Sequence, residues 1–203
     1  LAHTLHAYCH QPKACYLQLA TVDQKQRPTN RTLVFRGFWA ETNWLKFITD
    51  TRSQKYTHLQ QQPWAEACWY FPKTREQFRI AGQLHPIIAP HPEYSHPPNQ
   101  GDSPTIGARN LARVQQWREL SDAARLQFAW PAPKDLRDSD LAQDQALFHP
   151  ESPDTQNPPP HFCLLLLEPH QVDYLKLRGE PQNRYLYSRL LDQESWQFQE
   201  VNP

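Results

Sequence analysis

Hydrophobic and polar positions alternate with a period of two through most of this chain, so it reads as strands with few helices between them. The run YLQLATV at 16–22 predicts a strand with one face on a core. The polar turn at 23–28 leads to a second strand over 31–39. Residues 40–43 turn again and 44–49 return, which predicts a meander of antiparallel strands, the local pattern of a small barrel or sandwich. Further strand runs fall at 65–71, 77–85, 163–167, 172–177, 184–191 and 195–201. Within 77–85, Gln77, Arg79 and Ala81 share one face and Phe78 and Ile80 the other. Gln77 is therefore either an inward polar group awaiting a ligand or a solvent-facing one.

Helical periodicity is confined to short stretches. Residues 1–13 predict a helix leading into the domain, and Ser53 is placed to cap a helix through Gln62 that Pro63 stops. Residues 108–120 are amphipathic, with Leu111, Val114 and Trp117 on the buried side. Ser121 and Asp122 start a further helix that ends before Trp130-Pro-Ala-Pro. Residues 134–160 are polar and predict a flexible surface loop. Neither half of the strand pattern is self-sufficient, so the expectation is one β-dominated domain over 1–203.

Composition narrows the function classes. The chain has 203 residues with Lys+Arg 21 against Asp+Glu 21, and this even balance argues against a broad electrostatic nucleic-acid surface. Twenty prolines against five glycines predict long connections. The longest apolar run, 162–167, is strand-sized, and the first residues lack the apolar core of a secretory signal. A soluble cytoplasmic protein without membrane or nucleic-acid partners is expected. Cys9, Cys15, Cys68 and Cys163 are scattered and read as reduced packing residues. His85, His91 and His96 each precede a proline; they read as an exposed connection in preference to a metal loop, which needs short fixed spacings on a rigid scaffold.

The chemistry-bearing stretch is 31–55. Arg31 and Arg36 lie on a strand, and Thr49, Arg52, Ser53, Gln54 and Lys55 crowd a strand-to-helix junction. Free N–H groups at a helix start, together with cations and hydroxyls, suit a phosphate. An ordinary surface helix start with Arg and Lys reads the same way. P-loop, dinucleotide, zincin and serine-hydrolase motifs are all missing from the sequence.

The order Asn30-Arg31-Thr-Leu-Val-Phe-Arg36, Phe47-Ile-Thr49, Ser53-Gln54-Lys55, Phe71-Pro72, Gln77 through Gly82 and Arg184-Tyr-Leu-Tyr187 resembles the pyridoxamine 5′-phosphate oxidase superfamily. The likeness covers 16–85 and 163–203, and it is nearer to the FMN-binding branch than to typical pyridoxamine-phosphate oxidases. It implies a mainly β fold with flanking helices, a six-stranded antiparallel split β-barrel, working as a homodimer with FMN at the subunit interface. Arg31 and Lys55 would then meet the FMN phosphate, with Thr49 and Ser53 or Gln54 adding hydrogen bonds and Ile48 beside them. The backbone of Leu33, Val34, Phe35 and Arg36 would follow the isoalloxazine edge. Gln77 would reach the ring from its own strand, and Arg184 would reach it across the interface. Arg75 and Arg79 are further candidates for the cofactor phosphate or a substrate.

The substrate side departs from the pattern. Glu180 and Gln182 stand where the family carries Arg and His, Leu175 or Tyr174 stands for an expected aromatic, and Trp117, Ser121 and Arg125 do not match the family's substrate-phosphate residues. The resemblance thus implies an FMN-dependent oxidoreductase of unknown substrate. Alternatives within the fold are a non-catalytic flavin-binding or storage protein, or a haem- or deazaflavin-binding member.

Overall fold

The computed structural model defines residues 1–7, 15–90, 106–137, 147–190 and 195–203. The second half of the predicted N-terminal helix, Cys9, His91, His96 and part of the polar stretch lie outside these residues. Among the described residues there are eight strands: β1 (Tyr16–Val22), β2 (Pro28–Val34), β3 (Leu45–Asp50), β4 (Trp64–Phe71), β5 (Glu76–Ile87), β6 (Phe162–Lys176), β7 (Asn183–Arg189) and β8 (Trp196–Val201). The helices are α1 (Ala2–Ala7), α2 (Gln54–Gln61), α3 (Ile106–Arg118) and α4 (Asp122–Leu126). The sheet runs β2-β1-β4-β5-β6-β7-β8, with β3 paired to β6. It has eight strands where the resemblance implies six. The runs at 163–167 and 172–177 are one continuous strand, which carries β7, which in turn carries β8.

The predicted return after β2 forms as a short irregular hairpin: the amide of Arg36 donates to the Lys46 carbonyl at 2.9 Å, that of Lys46 to the Gly37 carbonyl at 2.8 Å and that of Trp39 to the Trp44 carbonyl at 2.9 Å, around the bridge Phe38 to Leu45. β3 then takes β6 as its strand partner. Gly37 at φ +98° interrupts the extended run, a left-handed conformation that costs little without a Cβ. Arg75, also left-handed at φ +58°, sits in the tight turn between β4 and β5, and its amide donates to the Phe71 carbonyl at 2.8 Å.

Two compact units divide the chain: Leu1–Phe47 with His58–His85 and Leu166–Pro203, and Ile48–Thr57 with Pro86–Leu165. In the first, Leu17, Leu19, Phe47, Trp69, Phe71 and Ile80 are fully or almost fully buried. They occupy alternate positions of their strands, which is why the period-two pattern was readable. Gly82 lies where a Cβ would stand 1.9 Å from the Glu168 carbonyl oxygen, so the backbone of β6 passes directly over it.

The second unit is centred on Trp117, Leu120, Phe128 and Phe162, with Ile48 and Ala124 packed against them. The rings of Trp117, Phe128 and Phe162 meet edge to face at 5.0–5.6 Å. Trp117 Nε1 donates to the Asp154 carbonyl at 2.8 Å, and Arg113 donates to the carbonyls of Phe162 and Pro159 at 2.8 and 2.7 Å. The described part of the predicted loop, 147–160, is therefore tied to α3 through its carbonyls. Arg125 is buried and donates to the carbonyls of Trp117, Arg118 and Leu120, closing the end of α3. Ser121 caps α4, its hydroxyl accepting from the Ala124 amide. Trp117, Ser121 and Arg125 thus have structural duties.

Candidate functional site

The strongest ligand signal in the first unit is Arg31. It lies in β2 opposite Leu19, on the same side as buried Leu33, so its guanidinium starts from the core-facing side of the sheet. Its Nη1 donates to Thr21 Oγ1 at 2.7 Å, to the Leu19 carbonyl at 3.1 Å and to the Thr29 carbonyl at 3.2 Å; Nη2 donates to Thr29 Oγ1 at 2.7 Å. Every one of these partners is neutral. Burial lowers its pKa. Arg52, Arg79, Arg184 and Arg189 each have a carboxylate partner, whereas no carboxylate among the described residues pairs with Arg31. A half-buried guanidinium oriented by hydroxyls and carbonyls, without a carboxylate partner, could receive an anion.

A second cationic cluster sits in the second unit. β3 alternates, so Thr49 is buried while Ile48 points to the other side, into the Trp117 cluster. Ser53 stands immediately before α2, as expected, but its hydroxyl donates back to the Asp50 carbonyl at 2.6 Å. Its oxygen is 3.3 Å from Thr49 Oγ1, and Lys55 Nζ donates to both, at 2.9 Å to Thr49 and 3.2 Å to Ser53. An ammonium, two buried hydroxyls and the first-turn N–H groups of α2 thus converge on one short stretch. Gln54 accepts from Lys134, and Arg52 is held by Asp50 and by the Phe128 and Trp130 carbonyls. Ile48 contributes packing through its side chain.

The segment after β2 is less open than its sequence suggests. The amide of Phe35 donates to the Cys15 carbonyl at 2.7 Å and that of Arg36 to the Lys46 carbonyl at 2.9 Å. Phe35 packs its ring on Phe38 and Trp69, with centroids 5.1 and 4.9 Å away. Leu33 and Val34 belong to the β1–β2 ladder, opposite Leu17 and Tyr16. Arg36 Nε is buried without a partner.

Gln77 and Arg184 occupy the face of the first unit opposite its core. Gln77 is half-buried and stands opposite Tyr70, on the side of β5 that also carries Arg79 and Ala81. A ladder of charges crosses the same face. Glu66 on β4 holds Arg79 through bonds of 2.7 and 3.1 Å; Arg79 lies 3.6 Å from Asp173 on β6; and Asp173 accepts twice from Arg184 on β7, at 2.9 and 2.6 Å. The hydrogen bonds that Arg184 donates to Asp173 raise its pKa, and the carboxylate offsets its charge. Arg79 is accordingly part of an ion-pair ladder, with its charge shared between Glu66 and Asp173.

Sequence reasoning missed the buried acids. Glu76 shares a cavity of about 720 Å³ with Phe78, Tyr174 and Tyr187. Burial pushes its pKa up, yet hydrogen bonds from Thr74, Tyr174 and Thr4 win and hold it below the usual range. Glu168 pairs with His85 at 2.9 Å and with Arg189, and these partners, His85 first, hold it down at about 2. Neither acid has a clear local sequence signal, since Tyr174 and Thr4 at Glu76, and His85 and Arg189 at Glu168, are remote in the chain. Burial raises the Cys163 thiol to about 12, in keeping with a packing residue. No helix among the described residues is long and apolar enough to cross a membrane.

A mainly antiparallel β-sheet with peripheral helices is the architecture of a split-barrel protein; the arginine with neutral partners in the first unit and the lysine–hydroxyl cluster in the second are each of a kind that could receive a phosphate. Residues 1–88 match the model of the pyridoxamine 5′-phosphate oxidase FMN-binding domain. The chain is 35% identical over 202 residues, 98% of its length and 92% of the relative's, to pyridoxine/pyridoxamine 5′-phosphate oxidase 2 of Arabidopsis thaliana. It therefore belongs to the pyridoxamine 5′-phosphate oxidase family, and FMN is its cofactor. Among solved structures it superposes on a pyridoxamine 5′-phosphate oxidase-related FMN-binding protein of Nostoc punctiforme with TM-score 0.85 and 52% identity, over 100% of this chain and 95% of that one. PhzG of Burkholderia lata, at 20% identity and TM-score 0.73 over 100% and 90% of the two chains, shares the fold.

Proposed function

We propose that the protein is an FMN-dependent oxidoreductase that holds the FMN phosphate with Arg31, Thr49, Ser53, Gln54 and Lys55. Arg31 carries this reading: its charge has only neutral partners, and a phosphate is the counter-ion that completes it. The stretch Leu33–Val34–Phe35–Arg36 and Ile48 border the cofactor, and Gln77 and Arg184 face its ring. FMN, when bound, supplies hydride acceptance, and the chain supplies orientation and charge. Arg184 is suited to a ring that becomes anionic on reduction, with Asp173 setting how much of its charge is felt.

The working unit is a homodimer with the site at the interface. Support comes from the outer face of β1 and β4, which exposes Tyr16, Trp64 and Tyr70 next to Gln77. The relative in Arabidopsis is named for oxidation of pyridoxine and pyridoxamine 5′-phosphates. The substrate here remains open, because Glu180 and Gln182 replace the family's cation and imidazole. The compartment is taken to be the cytoplasm.

The test is to purify the protein and identify its chromophore by absorbance and mass, with its size from light scattering. Yellow protein releasing FMN from a dimer is the expected result. Colourless protein that fails to take up FMN would sink the reading, and a monomer with FMN bound would remove the interface.

A further inference from the structure

Arg31 is oriented by two threonine hydroxyls, and those hydroxyls are themselves oriented by a buried histidine outside the residues assigned above. Thr21 and Thr29 face each other across the β1–β2 register, their oxygens 3.0 Å apart. His58, in the second turn of α2, is buried with Nδ1 3.1 Å from Thr21 Oγ1 and 3.3 Å from Thr29 Oγ1. The three side chains and Arg31 form one closed network.

Counting hydrogens gives each member a role. Arg31 can only donate, and it donates into both hydroxyl oxygens at 2.7 Å. Each threonine has a single hydroxyl hydrogen, which must point away from the incoming guanidinium. Thr29 can direct its hydrogen to the Thr21 carbonyl at 3.3 Å, to Thr21 Oγ1 or to His58. Thr21 has only Thr29 Oγ1 or His58 Nδ1 within reach among the described residues. An acceptor at His58 Nδ1 therefore lets both oxygens present lone pairs to Arg31 at once. With an N–H at that position, Thr21 can pass its hydrogen to Thr29 Oγ1 and Thr29 to the Thr21 carbonyl, so His58 braces the pair in either tautomer.

We propose that His58 is a positioning residue for phosphate recognition: through Thr21 and Thr29 it fixes the guanidinium of Arg31 in the orientation that receives the FMN phosphate. The inference rests on the assignment of Arg31 to that phosphate. It goes further by adding a buried member that touches neither Arg31 nor ligand and has no motif in the sequence. Asp23, whose carboxylate is exposed and accepts from the amides of Lys25 and Arg27, is in electrostatic range of His58 and makes no hydrogen bond to the network.

The experiment compares two ligands that differ only in the phosphate. Affinities of the full chain for FMN and for riboflavin are measured by equilibrium dialysis for the parent protein, His58→Leu and His58→Asn. Leucine removes the ring nitrogen, whereas asparagine can present an oxygen or an N–H near the position of Nδ1. His58→Leu is expected to weaken FMN by roughly ten-fold and leave riboflavin unchanged, and His58→Asn to restore FMN to within about three-fold of the parent. A role in folding alone would lower both ligands together, and that result overturns the proposal, as does unchanged FMN binding. Should His58→Leu fail to fold, Thr21→Val with Thr29→Val removes the hydroxyl relay with little change of shape, and the same selective loss of FMN is required. Arg31→Ala separates the two layers of the argument. If it leaves the FMN-to-riboflavin ratio untouched, the phosphate assignment itself is wrong; if it collapses the ratio while His58→Leu does not, only the role of His58 is wrong.

Discussion

Arg184 meets Asp173 through two nearly parallel hydrogen bonds of 2.9 and 2.6 Å, a fork-to-fork pair in which the carboxylate offsets the guanidinium charge. Arg31, the other arginine expected at the cofactor, is bound by neutral groups only. The two are not equivalent ligands: one presents a full charge, and the other a charge already shared.

Releasing that shared charge has a measurable consequence. Asp173→Asn keeps the shape and removes the counter-charge, so Arg184 stabilises a reduced, anionic flavin more strongly. The reduction potential of bound FMN is expected to rise by some tens of millivolts, the scale of one more charge several ångströms away at an effective dielectric near 20. Stability should change little, because the pair is solvent-accessible. A spectroelectrochemical titration checks the potential; a fall, or no change, would place Arg184 away from the ring.

Removing the phosphate cations acts on affinity. Arg31→Ala and Lys55→Ala should each weaken FMN by roughly 10- to 100-fold, the worth of a charge-assisted hydrogen bond of about 1.5–3 kcal/mol. Riboflavin, lacking the phosphate, should bind both variants as it binds the parent. Flavin fluorescence quenching reads both constants.

Gly82 tests the packing of β5 beneath β6. An alanine Cβ would fall 1.9 Å from the Glu168 carbonyl oxygen, a backbone atom that cannot swing aside. Gly82→Ala is expected to lower stability by about 2–4 kcal/mol, at the upper end for overpacking. Denaturant melts measure it, and a neutral outcome would mean that the two strands separate more easily than their geometry implies.

Glu168 predicts an acid limit. Its folded pKa of about 2 lies below the ordinary 4.5, so its contribution is fully present above pH 4.5 and is lost as pH falls from there toward 2. The melting temperature should decline through that window, and Glu168→Gln should flatten the decline while lowering stability near neutrality. Thermal melts of both proteins at a series of pH values distinguish the two slopes.

The legible part of this molecule is what local periodicity encodes. β1, β4 and β5 were readable because a two-residue period puts Leu17 and Leu19, or Phe78 and Ile80, on one buried face. The junction at Thr49–Lys55 was readable because its hydroxyls and ammonium are close in sequence, so nearness in the chain forces nearness in space. The return after β2 was readable, but the partner of β3 was not, since alternation says which residues face a core but not which strand lies alongside. The pairing of β3 with β6 joins segments more than a hundred residues apart in sequence.

By itself, then, the sequence determined the class of fold, the cofactor family and the residues that bear positive charge. Only the tertiary structure decided which of those charges are uncompensated. Arg31, Arg79 and Arg184 are alike as letters. Asp173 and Glu66 neutralise two of them, while Thr21, Thr29 and His58 orient the third and leave its charge intact. Electrostatic compensation depends on distances of a few ångströms between strands brought together only by folding, and no local pattern records it.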